Sequence, residues 1–365
     1  MSSKPTQVVI LQRVKSSSPF DTSPTAPHPI TLLPVEILSE IMCYMPLFYD
    51  HNAPSIHPLN SDLDPSGRFT KDGPIRTPHW VAVSHVCYRW REVALKCKAL
   101  WTYIPLVSPA WAQRALTLSD PHPITVRIDS RDSSIDRGYV SADALFLALA
   151  HMSRIRKIRI RSPWGTKYGD RILSFVYGAL CSGAPVLEEL DLGSDVPFMV
   201  RSGPEWSTMA SVIAKLRVLR LEQCFLPADG FLFHSGLTHL RLSGTKIMWP
   251  TLESLLSTLA LMPKLQILEL YGVLPSAPSS SSSSSSSDPP SLDLPLLKEL
   301  HLSGATQSML AVLQSFTLSG NVQVFVTLPD SVTESGSPSQ WMMALRGRQG
   351  IGIIPVHAPS SPLTH

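Results

Sequence analysis

The sequence predicts an α/β protein: a small N-terminal helical module, then a solenoid with parallel strands on its concave side and helices on its convex side. Three observations support this. Six apolar hexamers recur along the chain, helix-period segments separate some of them, and two amphipathic segments precede them all. We expect a disordered tail at 1–29, the module at 30–105, the repeat domain at 106–330 and a mostly irregular tail at 331–365.

The hexamers share the spacing apolar-x-x-apolar-x-apolar and begin 32, 29, 21, 28 and 32 residues apart. They are IRKIRI at 155–160, LEELDL at 187–192, LRVLRL at 216–221, LTHLRL at 237–242, LQILEL at 265–270 and LKELHL at 297–302. This period is typical of leucine-rich repeats, whose units bury their apolar sides by stacking. We expect ITVRI at 124–128 to begin the sheet and VQVFV at 322–326 to end it.

The connections between hexamers complete the predicted repeat domain. Helical segments at 170–181 and 250–262 are expected on the convex side. A serine-rich insertion at 276–291 contains Ser279–Ser287, which indicates a flexible connection, with a regulatory phosphorylation site as the alternative.

Polar side chains alternate with the buried leucines and are expected on the concave face. The candidate substrate-binding residues are Arg159, Arg161, Asp191, Arg220, Arg241, Glu269, Tyr271 and His301. Two interpretations stay open. Opposite charges such as those of Arg159, Asp191 and Arg220 pair along the sheet, or the face binds a peptide or folded protein with Tyr271 as an aromatic anchor.

The N-terminal module opens with LPVEILSEIM at 33–42, where Pro34 suits the first helical turn. Leu33, Ile37 and Ile41 form one apolar row, and Leu38 and Met42 form an adjacent one. A proline-rich insertion at 47–78 follows, and then a second amphipathic helix is predicted over 79–101. The sequence leaves open which row of the first helix packs inward.

Composition limits the function classes. The chain has 31 Lys and Arg against 28 Asp and Glu, a net charge of +3, which gives no reason to expect nucleic-acid binding. The five cysteines lack Cys-x-x-Cys spacing, which predicts buried free thiols in a reducing compartment. The longest apolar run, at 144–150, is too short to span a membrane. We therefore expect a cytoplasmic or nuclear protein that is not secreted.

Catalytic and metal-binding motifs are not recognisable. The chain has no Gly-x-Ser-x-Gly, SGTK at 243–246 lacks the frame of a phosphate-binding loop, and GRQGIG at 347–352 lacks a strand–helix context. His51, His57, His79 and His85 have no metal-ligand spacing. We expect a protein without catalytic activity, metal or cofactor, and keep a hydrolase only as a remote alternative.

The module resembles the F-box, a helical unit of some forty to fifty residues. Its opening Leu-Pro-x-Glu-Ile/Leu-Leu pattern matches Leu33, Pro34, Glu36, Ile37 and Leu38, and its second half matches Val83, Ser84, Val86, Cys87, Trp90, Leu100 and Trp101. With the repeats, the chain from 31 to about 326 is similar to F-box proteins of mushroom-forming fungi. The insertion at 47–78 is longer than that family usually has, which puts access to the partner surface in question.

The resemblance implies a substrate-recognition subunit of a Skp–cullin–F-box ubiquitin ligase. The F-box would bind a Skp-family adaptor and, through it, a cullin, while the repeats bind a protein substrate. The implied adaptor-binding residues are Leu33, Pro34, Ile37, Leu38, Ile41, Val83 and Trp90. The alternative is a leucine-rich-repeat scaffold outside any ligase, in which the module is only the cap that a repeat array needs.

Overall fold

A computed structural model describes residues 32–52, 79–129, 141–162, 175–176, 178–180, 182–199, 213–226, 232–244, 246–247, 249–275, 291–318 and 321–327. Both predicted terminal tails, residues 53–78 of the first insertion and residues 276–290 of the serine-rich insertion lie outside this part of the chain.

The structure is α/β with a parallel main sheet. Its strands are β1 (Ile124–Asp129), β2 (Ile155–Ser162), β3 (Glu189–Met199), β4 (Val218–Leu226), β5 (His239–Ser243), β6 (Lys246–Ile247), β7 (Ile267–Tyr271), β9 (Glu299–Ser303) and β11 (Gln323–Thr327). Eight of them follow the order β1-β2-β3-β4-β5-β7-β9-β11, and β6 pairs with β4. The short strands β8 (Leu292–Asp293) and β10 (Phe316–Thr317) form a second parallel pair. All six hexamers therefore contribute a strand, as the sequence predicts.

Strand register places equivalent residues of the hexamers side by side. Leu190 on β3 is in register with Ile158 on β2 and with Leu219 on β4, and this correspondence continues to Leu300 on β9. These side chains are buried, as is the leading residue of each hexamer. One face of the sheet therefore carries the core, because side chains alternate with period two.

The turn before each strand repeats one backbone hydrogen bond. Arg217 N–H donates to the Glu188 carbonyl at 2.9 Å, and Thr238 N–H donates to the Arg217 carbonyl at 2.8 Å. The same bond joins Gln266 to Thr238 and Lys298 to Gln266, at 2.7 and 2.8 Å. The polar groups of these turns are thus satisfied by neighbouring units.

Six helices are described in full: α1 (Val35–Asn52), α2 (Tyr88–Lys96), α3 (Pro109–Leu118), α4 (Ala142–Leu149), α5 (Leu252–Ala260) and α6 (Thr306–Ser315). Helix α5 lies within the segment 250–262 that is predicted to be helical. In the predicted helical segment 170–181, the described residues 175–176 and 178–180 are helical. No helix in the described ranges is both long enough and apolar enough to cross a membrane.

Helix α1 is longer than the sequence suggests. It continues to Asn52, although the irregular insertion is predicted from residue 47, and it contains Pro46. A proline removes one backbone hydrogen bond, here the bond to the carbonyl four residues earlier, so a helix can continue past it. Pro34 lies just before the helix, and its carbonyl accepts the Leu38 N–H at 3.1 Å.

The predicted helix over 79–101 is wrong in its continuity. The structure has a 3₁₀ segment at His79–His85, then α2, then a second 3₁₀ segment at Lys98–Thr102. The chain is extended at Cys87, with φ −159° and ψ 173°. Arg91 Nε donates to the Ser84 carbonyl at 3.0 Å. A side chain therefore provides the hydrogen bond that this carbonyl would receive from the backbone in a continuous helix. Val86 and Cys87, which a continuous helix would place on its apolar face, are exposed.

The helical module and the sheet share one hydrophobic core. Trp101 is buried, its ring meets that of Trp80 edge-on at 5.2 Å between centroids, and its Nε1 donates to the Ala94 carbonyl at 2.8 Å. Ile104 N–H then donates to the Thr125 carbonyl of β1 at 3.1 Å. The core therefore runs from α1 to β11 without interruption.

Candidate functional site

Helix α1 presents two different apolar sides. Leu38 and Met42 are both 0 % exposed and belong to the core, whereas Ile37 and Ile41 are each 44 % exposed and Tyr44 is 52 % exposed. We call Ile37, Ile41 and Tyr44 the exposed α1 row, since their spacing of four and three residues places them on one side of a helix. The structure thus decides which predicted row faces inward.

The predicted adaptor-binding residues are divided between surface and core. Pro34, Ile37 and Ile41 are exposed, and Leu33 and Trp90 are half-buried. Leu38 and Val83 differ from the others: they are 0 % and 4 % exposed, so in this arrangement neither offers a contact surface to a partner. Leu38 and Ile37 are adjacent in the sequence, and both are apolar. Only packing against the rest of the module determines which of the two is buried.

Apolar side chains at the start of α2 add to this surface. Arg89 donates a hydrogen bond to the Leu33 carbonyl, which places the start of α2 beside the start of α1. Tyr88, the residue before Arg89, and Val86, two residues before the helix begins, are exposed. The predicted adaptor-binding residues include neither, although Val86 matches the F-box pattern.

The second surface is the polar sheet face, formed by the strand side chains that point away from the core. Its middle row, one residue per strand in register, contains Arg127, Arg159, Asp191, Arg220, Arg241, Glu269, His301 and Phe325. Seven of these side chains are half-buried, and Asp191 is buried. Six of the eight predicted substrate-binding residues lie in this row, while Arg161 and Tyr271 lie in the adjacent row.

Asp191 is the centre of the first charge cluster on this face. Arg161 donates two hydrogen bonds to its carboxylate, at 3.0 and 3.1 Å, and the Arg159 guanidinium lies 3.6 Å from it. Arg161 is in register with Gly193, where an added Cβ would lie 3.3 Å from Arg161 Cγ. The missing side chain at Gly193 therefore leaves room for Arg161 to reach across to Asp191.

Glu189 is the centre of the second cluster. It pairs with Lys157 at 3.2 Å and with Arg220 at 2.5 Å. Burial alone would raise the pKa of Glu189, but hydrogen bonds to Lys157 and Arg220 and their positive charges hold the pKa below its usual value. The predicted pairing of charges along the sheet therefore occurs, although Arg220 pairs with Glu189 rather than with Asp191.

Aromatic rings accompany the charges on the last strands. Arg241 pairs with Glu269 at 3.1 Å and lies 5.2 Å from the centre of the Tyr271 ring. Tyr271 donates its hydroxyl proton to Glu269 at 3.0 Å, and burial, followed by the negative charge of Glu269, raises the pKa of Tyr271 to about 12. Tyr271 therefore stays protonated at physiological pH.

The next ring pair continues this surface to the last strand. His301 stacks on Phe325, with centroids 4.2 Å apart and planes 13° from parallel. Phe325 and Arg127 were missed as candidates because their strands lack the leading leucine of a hexamer. The same alternation, applied to ITVRI and VQVFV, would have found both.

No group of three or more His, Cys, Asp and Glu side chains in the described part of the chain is arranged to hold a metal ion. Of the four histidines considered for a metal site, His57 lies outside the described residues, and the side chains of His51 and His79 are outside that description too. Comparisons of the chain with protein-family models, with curated proteins and with solved structures found no match.

Proposed function

We propose that this protein is a substrate-recognition subunit of a Skp–cullin–F-box ubiquitin ligase, with an F-box at its N-terminus and a leucine-rich-repeat solenoid after it. The observation that carries the proposal is the division of α1 into a buried row and the exposed α1 row, within the segment that matches the F-box pattern. A helix that only capped the repeats would need the first row and not the second.

The exposed α1 row is the proposed adaptor-binding surface, together with Pro34, Val35, Val86 and Tyr88. Burying a side chain such as Ile37 or Ile41 stabilises an interface by roughly 1.5–3 kcal/mol when burial is complete, and by less here because each is already partly covered. Several such side chains supply an apolar contact area without any ion pair.

The sheet supports the second half of the proposal. Strands that follow chain order, parallel pairing and the repeated backbone bond before each strand are what a leucine-rich-repeat solenoid requires. The polar sheet face would then be the concave surface that receives a protein substrate. The subunit would contribute proximity, holding a substrate lysine near a ubiquitin-loaded enzyme.

The alternative is a repeat scaffold outside any ligase. The continuous core favours it to the extent that Leu38, Met42 and Val83 belong to the same core as the sheet. The exposed α1 row distinguishes the two functions, because a scaffold has no need of it.

Binding to a purified Skp-family adaptor tests the proposal. We expect the full chain to bind, and the double variant Ile37→Asp, Ile41→Asp to lose at least tenfold in affinity while keeping the circular dichroism spectrum of the wild type. The matched control is Leu261→Asp, because Leu261 is also apolar and exposed but follows α5. No binding by the wild type, or full binding by the double variant, would contradict the ligase function.

Substrate capture tests the polar sheet face separately. Tyr271→Ala with His301→Ala removes two rings and leaves the Arg–carboxylate pairs of the face in place. With the proteasome and neddylation inhibited, we expect this variant to retain the adaptor and to lose proteins that the wild type captures. An unchanged set of captured proteins would show that these rings do not contact a substrate.

A further inference from the structure

Two cysteines of different elements lie close together in the helical module. Cys43 Sγ on α1 lies 3.4 Å from Cys97 Sγ, at the junction between α2 and the second 3₁₀ segment. The residues are 54 apart in sequence, and neither is fully buried. Cys97 Sγ also lies 3.9 Å from the Ser39 carbonyl, one turn earlier on α1. Local chain geometry does not force this approach, because the two cysteines belong to separate helical elements.

We propose that Cys43 and Cys97 are a reversible oxidation site, in which hydrogen peroxide joins them in a disulfide that fastens α1 to the end of α2. This inference goes beyond the proposed function and does not depend on it. It predicts a cross-link inside the module whatever partner the module binds.

The distance of 3.4 Å between the two Sγ atoms allows a disulfide bond to form without refolding of the module. Disulfide sulfurs are about 2.05 Å apart, so the two Sγ atoms have to approach by roughly 1.4 Å. Rotation about the Cα–Cβ bonds supplies movements of this size. Cys224, by contrast, is buried. Cys87 is exposed and lies at the N-terminal end of α2, whereas Cys97 lies at its C-terminal end.

The two thiols have different roles in the reaction. Burial, followed by the hydrogen bond and charge of Cys97, raises the pKa of Cys43 to about 12, so Cys43 stays protonated at neutral pH. The proposal assigns Cys97 the role of first nucleophile, and the Cys43→Ser variant described below tests this order. The Cys97 thiolate attacks one peroxide oxygen, the O–O bond breaks, and the departing hydroxide takes a proton to become water, leaving a sulfenic acid on Cys97.

The second step resolves this sulfenic acid. Cys43 Sγ attacks Cys97 Sγ, the S–O bond breaks, and the hydroxide leaves as water with the Cys43 proton. Two electrons pass from the two thiols to one peroxide, and the products are one disulfide and two water molecules. A thiol reductant reverses the bond, which suits a protein of a reducing compartment.

Peptide mapping of the full chain tests the cross-link. Trypsin cleaves after Lys15, Arg68, Lys96 and Lys98, so Cys43 and Cys97 fall on different peptides. After treatment with hydrogen peroxide and digestion without reductant, we expect these peptides to be joined, with a mass lower by two hydrogen atoms. Dithiothreitol should separate them.

Cysteine variants decide between this site and unspecific oxidation. Cys87→Ser should still form the cross-link, whereas Cys43→Ser should not and should instead accumulate sulfenic acid on Cys97, detectable with a dimedone probe. The wild type should gain about 5–10 °C in melting temperature on oxidation, and Cys43→Ser should gain none. The proposal fails if the joined peptides are absent while Cys87 is oxidised, or if Cys97 pairs with Cys87 instead.

Discussion

Arg161 donates two hydrogen bonds to Asp191 on the neighbouring strand, and the Arg159 guanidinium lies 3.6 Å from the same carboxylate. Asp191 is 2 % exposed, so its charge is balanced by these two arginines and not by water. Such an arrangement is destabilised when one partner is removed, because the remaining charges lose their compensation in a poorly solvated place.

Asp191→Ala should lower the free energy of unfolding by about 3 kcal/mol, measured by urea denaturation at pH 7. The matched control is Glu188→Ala, which breaks the exposed pair between Glu188 and Arg156, whose side chains are 43 % and 50 % exposed. We expect that control to change stability by less than about 0.5 kcal/mol. Equal effects of the two variants would contradict the special role of Asp191.

Glu189→Gln should reduce the sensitivity of the protein to acid. The folded-state pKa of Glu189 lies below its unfolded value, so the carboxylate contributes stability above the unfolded pKa of about 4.3. That contribution is lost as the pH falls through the lower, folded-state pKa. Urea denaturation from pH 7 to pH 3 should show a shallower loss of stability below about pH 4.5 in the variant. Parallel curves would mean that Lys157 and Arg220 do not favour the ionised form.

Leu38→Ala and Ile37→Ala should differ although they change adjacent residues. Leu38 is in the core, and its truncation should cost about 2–5 kcal/mol of unfolding free energy. Ile37 is exposed, and its truncation should cost less than about 1 kcal/mol. Chemical denaturation monitored by circular dichroism measures both. A large cost for Ile37→Ala would show that the exposed α1 row is covered within the protein itself.

Trp101→Phe should destabilise the helical module through one hydrogen bond. Trp101 Nε1 donates to the Ala94 carbonyl in the last turn of α2, where backbone carbonyls lack helical partners. Losing this donor should cost about 1–2 kcal/mol, and the smaller ring should weaken the contact with Trp80. Thermal denaturation followed by near-ultraviolet circular dichroism reports on both rings. An unchanged melting temperature would mean that water replaces the donor.

The sheet could be predicted from the sequence because period two and a repeated leucine spacing carry redundant information. Leu190, Leu219 and Leu240 each mark both a strand and its register, so the neighbours follow without knowledge of side-chain conformation. The pairing of Arg220 could not be predicted in the same way. Its guanidinium reaches diagonally to Glu189, and only the side-chain conformation decides between that residue and Asp191.

The helical module was less accessible to sequence reasoning. The break at Cys87 lies in a segment without glycine or proline, so nothing local marks it. Helix α3 was not predicted, although its start signal is present in the sequence: Ser108 and Pro109 precede it, and Ser108 Oγ accepts the Trp111 N–H at 3.4 Å. The burial of Leu38 and Val83 depends on packing between segments, which the spacing of apolar residues alone does not determine.

The charges in the middle row of the polar sheet face limit which strand-containing segments can be deleted from the protein. Successive strands pair in the same parallel way, but the charged residues of the middle row differ from strand to strand. Excising the unit of β5 would bring Arg220 next to Glu269 and restore an ion pair at the junction. Excising the unit of β7 would instead bring Arg241 next to His301 and leave the arginine without its carboxylate. These units are therefore not equally removable, and the order of charges limits where the chain can be shortened.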